Sequence, residues 1–587
     1  MIRIRGLGAS RGIAIGPAYL TDMRVSVAER RILRHDRESE LARLASALDM
    51  AEQQLERLRR QLTSQGGTAL DLVELHRMIL RSPELAGEAR RLVEGECFGA
   101  EWAVTRALEQ IRATFARLDD PYFRDRAADF ESSADRLLRV LIGLPELRPE
   151  ANNPRDAVAI GIDLGPLDLF ALDHAGVAAV VSESGGTTSH AAIVARALGL
   201  PYVVGAQGIT NRVRLGAPVI VDGSRGEVIV DPDEAVLRAF RARSAVERER
   251  ERRLQDLRDL PSITSDGVAV HLGANVESLV GVSAAVAAGA ESVGLFRTEF
   301  LYLERPDLPS EQDQFEDAVS ALKAAKGLPI TFRTLDVGAD KLPPSVKFPP
   351  GKNPALGIHS TRFSLLRPEI FRRQLRALYR ASVVGPVRLM FPLVSGVAEL
   401  KQLRAICDSV RAELGAERAA HDGAVALGVM IETPSAALTA DHLARHCDFL
   451  SVGTNDLIQY AFAADRENGD VAYLHQPLHP AVLRTLKAVV EMAAAARVPI
   501  SICGDMAGDP FLTWVLMGLG FRELSMERDR IPLVKTVVRG SSIAEAEAFV
   551  REALTLEDEN EVAEQLRSRL HGRFEAELEG FIPRASA

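Results

Sequence analysis

Cysteine is scarce in this chain of 587 residues: Cys97, Cys407, Cys447 and Cys503 stand far apart and form no CxxC pair. That spacing offers neither a zinc ligand set nor a disulfide framework, and it suits a reducing compartment. Long apolar runs are missing too. No stretch approaches the ~18 residues of a membrane span, and MIRIRGLGASRGIAIG lacks the apolar core of a signal peptide. Basic runs are absent, and the net charge is −10 with a pI near 5.8, which argues against nucleic acid as a partner. A cytoplasmic protein that binds neither membrane nor nucleic acid is expected. What remains is ordinary globular composition, 47% apolar and 26% charged, with length for about three or four domains.

Residues 1–22 read as short strands with glycine turns. Gly6, Gly8 and Gly12 superficially suggest a dinucleotide loop, but no βαβ unit surrounds them, so a turn-rich strand pair is the better reading. From about 26 to 145 the pattern is helical. Leu41, Leu44, Leu48, Ala51, Leu55, Leu58 and Leu62 form a seam in steps of three and four, and further helices are expected near 69–80, 100–118 and 125–142. This is an all-α bundle without catalytic residues, suited to docking a partner. Residues 154–235 return to valine-rich strands and one clear helix, AAIVARALGL, closed by Gly199 and Pro201. The two flanking stretches read as one α/β domain with the bundle inserted. The run ERERERRLQDLRD at 247–259 reads as a solvated, semi-rigid helical linker ended by Pro261. Eight candidate strands then alternate with helices: 268–274, 292–296, 329–335, 387–392, 427–432, 449–453, 499–503 and 523–525. That pattern predicts a (β/α)₈ barrel of the TIM type.

Such barrels build their active sites at the C-terminal strand ends. The polar residues expected there are Arg297, Arg333, Glu432, Asn455, Asp456, Arg466 and Cys503. Several guanidinium groups together demand a polyanion. Two carboxylates beside that anion would repel it unless a hard cation bridged them, so Glu432 and Asp456 read as Mg²⁺ ligands. Arginines and metal would together stabilise charge on a transferring phosphoryl group. Cys503 reads two ways, as a small apolar side chain or as a proton donor or acceptor. His190 follows GGTTS and opens a helix, where backbone N–H groups favour phosphate, and its imidazole is a nucleophile near neutral pH.

The motifs GGTTSHAAIVARALGLP, GLFRTEFLYL, RTLDVGADK, MIETPSAA, GTNDLIQY and CGDMAGD occur in this order, together with GLGASRGIAIGPAYL at the start and DPYFRDRAADF in the helical insert. In this the chain resembles Enzyme I of the bacterial phosphotransferase system, over essentially its whole length. Related dikinases and synthases carry an ATP-grasp domain as well, for which this sequence has no room. The resemblance implies a multidomain α/β protein. A swivelling phosphohistidine domain is expected over 1–22 plus 146–235, a helical docking subdomain over 23–145 and a helical linker over 236–260. A phosphoenolpyruvate (PEP)-binding and dimerising barrel over 261–575 and a tail over 576–587 complete it. It further implies that His190 accepts the phosphoryl group of PEP and passes it to the phosphocarrier HPr, releasing pyruvate, as the first step of sugar uptake. Arg297, Arg333, Arg466 and Asn455 would bind PEP, Glu432 and Asp456 would hold Mg²⁺, and Cys503 would protonate the enolate. A homodimer and a large swing of the histidine domain come with the same resemblance.

Departures from the family pattern are local. ALGIHSTR places His359 where an arginine is usual and Ile358 where an aromatic is, with Arg362 nearby as a substitute cation. Thr187 replaces a basic residue, Asp505 a glutamate, and Arg77 and Arg81 stand where acidic or neutral residues are usual in the docking helix. Two alternatives therefore stand beside the active phosphotransferase. One is a weakly active or non-catalytic regulator that binds a carrier or metabolite, and the other is a PEP-dependent enzyme with a different acceptor.

Overall fold

The computed structural model describes residues 1–21, 27–61, 67–115, 121–143, 155–187, 189–303, 307–338, 346, 353, 356–466, 468–570 and 572–574. Within these, the side chains at 61, 67–72, 121–128, 190, 197, 250, 251 and 280 lie outside the description. Two compact units divide the chain, Met1–Glu251 and Arg252–Ala587.

The first unit is built on an eight-stranded sheet. Its strands are β1 (Ile2–Arg5), β2 (Leu7–Ser10), β3 (Ile13–Leu20), β4 (Val158–Gly161), β5 (Ala179–Ser182), β6 (Tyr202–Val204), β7 (Pro218–Asp222) and β8 (Glu227–Val230), in the order β1-β8-β7-β3-β4-β5-β6-β2. Runs such as VAIG and AVVS are buried throughout because both faces of the sheet are covered. Val158, Ile160, Ala179 and Val181 serve one apolar cluster, while Ala159, Val180, Tyr202 and Val204 serve the other, the period of two expected of a pleat. The first three strands occupy the middle and both ends of this sheet, pairing with strands more than 130 residues away. The glycines of this segment are needed for close approach: a Cβ on Gly6 would sit 2.4 Å from the Val204 carbonyl oxygen, and one on Gly8 would sit 2.2 Å from that of Gly223. They serve strand packing rather than a nucleotide.

Among the described residues between β3 and β4 run the α-helices Arg37–Gln61, Gly67–Leu80, Glu88–Glu96, Ala100–Phe115 and Pro121–Ile142. Leu44, Leu48, Ala51, Leu55 and Leu58 of the seam enter their common core, Leu41 packs at its edge, and Leu62 lies outside the described residues. Helix Glu88–Glu96 lies in the stretch expected to be helical but was not expected as a separate element. Gly87 and Gly95 punctuate it, and it buries only Ala89, Leu92 and Val93. A single helix, Glu234–Asp256, covers most of the expected linker.

The second unit is a closed barrel of eight parallel strands: β9 (His271–Val276), β10 (Ser292–Arg297), β11 (Ile330–Arg333), β12 (Val387–Phe391), β13 (Ala426–Ile431), β14 (Phe449–Val452), β15 (Ile500–Ile502) and β16 (Glu523–Glu527). All eight fall on the expected segments. Among the described residues no helix is long and apolar enough to cross a membrane. The expected tail at 576–587 lies outside the described residues.

Candidate active site at the barrel rim

Because the strands are parallel, their C-terminal ends share one rim. Arg297 ends β10 and Arg333 ends β11; Glu432 follows β13, Asn455 and Asp456 follow β14, and Cys503 follows β15. The expected residues thus come together from five strands, with Arg466 four residues beyond the helix Thr454–Phe462.

Arg333 is the cation around which this rim is organised. Its side chain is only 11% exposed, and its guanidinium lies 2.6 Å from Asp336 and 3.2 Å from Glu299. The Asp336 N–H also donates to Glu299, at 3.0 Å. A second network locks the backbone beneath: Thr298 Oγ1 donates to the Arg333 carbonyl (2.9 Å), and Gln374 donates to Thr298 Oγ1 (3.0 Å) and accepts from the Leu335 N–H (3.0 Å). Burial opposes the charge on Arg333, but Asp336, Glu299 and Glu432 outweigh it and hold its pKa above the usual value. Arg297 donates to Glu277. The Nε–H groups of Arg297 and Arg333 are buried without a partner.

Glu432 is 2% exposed and accepts the N–H of Leu393, which has φ +51°. Burial and the neighbouring charges of Asp336 and Asp456 push its pKa well above the usual range, against the pull of Arg333. Asp456 is raised as well, by burial and by Asp336, with Arg466 and Arg333 opposing. Burial also pushes Asp336 up, yet Arg333, His359 and the Ser360 hydroxyl more than offset it, so its pKa is lowered. Space is tight at Gly453, where a Cβ would sit 2.9 Å from a Glu432 oxygen and 3.0 Å from the Met430 sulfur. Crowded carboxylates that raise one another's pKa are a site short of positive charge, and a hard divalent cation would relieve it. That donor chemistry fits Mg²⁺ held by Glu432 and Asp456, with the remaining positions filled by ligand and water oxygens. Among the described residues no group of three or more His, Cys, Asp or Glu is arranged to hold a metal unaided.

Cys503 is 4% exposed among Leu295, Met390, Met430 and Phe449. Burial, reinforced by Glu432, pushes its thiol up to about 11, against Ser451, Arg333 and Arg297. That shift favours the protonated thiol at neutral pH. Asn455 Oδ1 accepts the N–H of Asp505 at 2.9 Å, which leaves its NH₂ for a ligand. Arg466 is exposed.

His359 Nδ1 lies 3.5 Å from Asp336 and 2.6 Å from Ser360 Oγ, which itself donates to Asp336. Arg362, the expected substitute, donates instead to the carbonyls of Leu356 and Gly357, at 3.1 and 3.2 Å. Sequence reasoning passed over Glu299, Asp336 and Asn275. The first two stand inside the motifs RTEF and TLDVG; Asn275 carries no local signal.

In the first unit His190 opens helix His190–Leu198, whose N-cap Ser189 accepts the Ala192 N–H at 3.2 Å. Arg196 ties the preceding loop to β2 by donating to the carbonyls of Thr187 (2.9 Å) and Ala9 (2.8 Å). The His190 side chain lies outside the described part. Arg77 and Arg81 are engaged with the neighbouring helix, Arg77 at 3.1 Å from Glu52 and Arg81 at 2.8 Å from Asp49.

Residues 5–126 match the N-terminal domain of PEP-utilising enzymes, residues 154–226 their mobile domain, and residues 251–543 their PEP-binding domain. The chain is 38% identical to a phosphoenolpyruvate-protein phosphotransferase of Cupriavidus necator over 578 residues, covering 96% of this chain and 98% of that protein. It is 36% identical to the phosphoenolpyruvate-protein phosphotransferase of Bacillus subtilis over 564 residues, covering 96% and 98%. Among solved structures it is similar to a solution structure of an Enzyme I protein, at 32% identity, 42% coverage of this chain, 99% of that one and a TM-score of 0.37.

Proposed function

Because this chain belongs to the phosphoenolpyruvate-protein phosphotransferase (Enzyme I) family, we propose that it moves the phosphoryl group of PEP to His190 and from there to an HPr-type carrier. The observation that carries this reading is the rim itself: Arg297, Arg333, Glu432, Asp456 and Cys503 converge from separate strands around a charge arrangement made for a metal-bound polyanion.

Arg297 and Arg333 each keep a buried Nε–H without a partner, and these donors, with Arg466 and the Asn455 amide, would take the phosphate and carboxylate of PEP. Glu299 and Asp336 hold Arg333 in place, so its fork does not have to be ordered when the ligand arrives. Glu432 and Asp456 would hold Mg²⁺, which when bound withdraws charge from the phosphoryl oxygens. Cys503, held protonated, would give its proton to the enolate left behind. His359 would face the ligand in place of an arginine.

We divide the chain accordingly into a phosphohistidine domain (1–22 plus 146–235), a carrier-docking helical region (23–145), a helical linker (236–260) and a PEP-binding barrel (261–575). Homodimerisation through the barrel and a cytoplasmic location belong to the same proposal. The test is to mix the protein with PEP, Mg²⁺ and an HPr-type carrier. Pyruvate should appear in step with carrier phosphorylation and should cease with a chelator. Binding of PEP without pyruvate release would favour the regulator suggested by His359.

A further inference from the structure

The loop that carries Cys503 is weakly held on one side. β15 pairs with β14 through three residues, but with β16 only through Ile502 and Leu524. Cys503 lies just past that single pair. Its N–H donates to the Val452 carbonyl at 3.0 Å, on the β14 side. On the other side its carbonyl takes a hydrogen bond from the side-chain amide of Asn275, at 2.9 Å, reaching across from β9. Because the Cys503 carbonyl can only accept, it sets the NH₂ end of the amide toward itself, and Ser525 Oγ on β16 donates to the other end, Asn275 Oδ1, at 2.6 Å. The next turn is closely confined: a Cβ on Gly504 would sit 1.9 Å from Thr454 Oγ1, and the Asp505 N–H is taken by Asn455. The Asn275–Ser525 pair thus supplies the contact that the sheet ladder does not.

We propose that Asn275, locked by Ser525, is a positioning residue that fixes the Cys503 backbone and so the reach of its thiol, which rests on the Val452 carbonyl at 3.6 Å, toward the ligand; this rests on the reading of Cys503 as the proton donor. In the reaction the bond between phosphorus and the bridging oxygen of PEP breaks and the phosphoryl group passes to the imidazole, leaving the enolate of pyruvate. The enolate electron pair then forms a C–H bond at C3 with the thiol proton, and the S–H pair stays on sulfur as thiolate. Water returns the proton. Only the second step depends on where the sulfur points, so Asn275 governs protonation and not the capture of PEP.

The experiment follows deuterium entering the pyruvate methyl group in D₂O, by NMR, with the full-length protein, pyruvate and Mg²⁺. The variants are N275A, S525A, C503A and N275A/C503A, and PEP affinity is measured in parallel. General acid catalysis is worth about 10²–10⁴-fold, so a displaced thiol should lose part of that, about 10–100-fold. N275A should slow exchange by this factor with PEP affinity within about twofold of wild type, and S525A should act in the same direction. In the C503A background N275A should add nothing. The proposal is overturned by wild-type exchange in both N275A and S525A, by a parallel loss of PEP affinity, or by an undiminished N275A effect on top of C503A. Wild-type exchange in C503A would instead remove Cys503 as the donor, a result separable from the others. Should N275A fail to fold, S525A, which loses one hydroxyl and no bulk, decides between the same outcomes.

Discussion

Replacing Arg333 by Met separates what that residue does for folding from what it does for the ligand. Arg333 sits 2.6 Å from Asp336 and 3.2 Å from Glu299, all three nearly buried. Removing the cation strands two carboxylates, with Glu432 close enough to feel the loss. Breaking a buried ion pair by deleting one member costs about 3–5 kcal/mol. The barrel unit, Arg252–Ala587, has about 330 residues, hence an unfolding entropy of about 0.7 kcal/mol/K and an expected fall in its melting temperature of about 4–7 °C. The pH sign follows from linkage. With the cation gone, Glu299, already raised by burial, rises further, and Asp336 loses what chiefly holds its pKa down, so both carboxylates lie above the unfolded chain. The folded state then binds more protons than the unfolded one, and the deficit shrinks as pH falls toward about 5. The triple variant R333M/E299Q/D336N should recover most of the melting temperature, because the two carboxylates that Arg333 paired are then neutral. Neither variant should turn over PEP. Calorimetry at pH 5 and 8 beside a pyruvate assay reads both effects. A melting temperature for R333M within about 1 °C of wild type at pH 8 would refute the buried triad.

Further outcomes follow from neighbouring residues. H359R should bind PEP about 10-fold more tightly, since a guanidinium fork replaces an imidazole and a charge-assisted bond is worth about 1.5–3 kcal/mol; unchanged affinity would place residue 359 away from the ligand. The Cys503 thiol, pushed up to about 11 by burial, should react with iodoacetamide about 100-fold more slowly at pH 8 than a free thiol and speed up toward pH 11. Fast alkylation at pH 8, mapped to Cys503, would contradict its burial. G453A drives a methyl group to 2.9 Å from a Glu432 oxygen, so the Mg²⁺ concentration needed for half-maximal turnover should rise at least about 10-fold; an unchanged requirement would dissociate Glu432 from the metal.

Much of the barrel was legible because its strands, such as VRLMF and ALGVMI, are short apolar runs set between helical segments, and because the chemistry of a parallel barrel gathers at one end of its strands. Arg297, Arg333, Glu432 and Cys503 could be named from that rule alone. Asn275 could not: its significance is a contact with a carbonyl 228 positions away, which no local pattern encodes. Glu299 and Asp336 were visible as motif letters, but their task of holding Arg333 depends on how β10 and β11 align. Helix Glu88–Glu96 was hidden by its glycines and its three buried positions. Arg362 looked like a spare cation for the ligand until its guanidinium was found on two backbone carbonyls.

The central claim is a relay in which the donor is bound in the barrel and the phosphoryl group is carried on an imidazole in the other unit. Incubation with ³²P-labelled PEP and Mg²⁺, followed by peptide mapping under conditions that preserve phosphohistidine, tests it most directly. One label should appear, on His190, and it should vanish in H190A and on addition of an HPr-type carrier in wild type. A label that persists in H190A, or maps elsewhere, would contradict the relay.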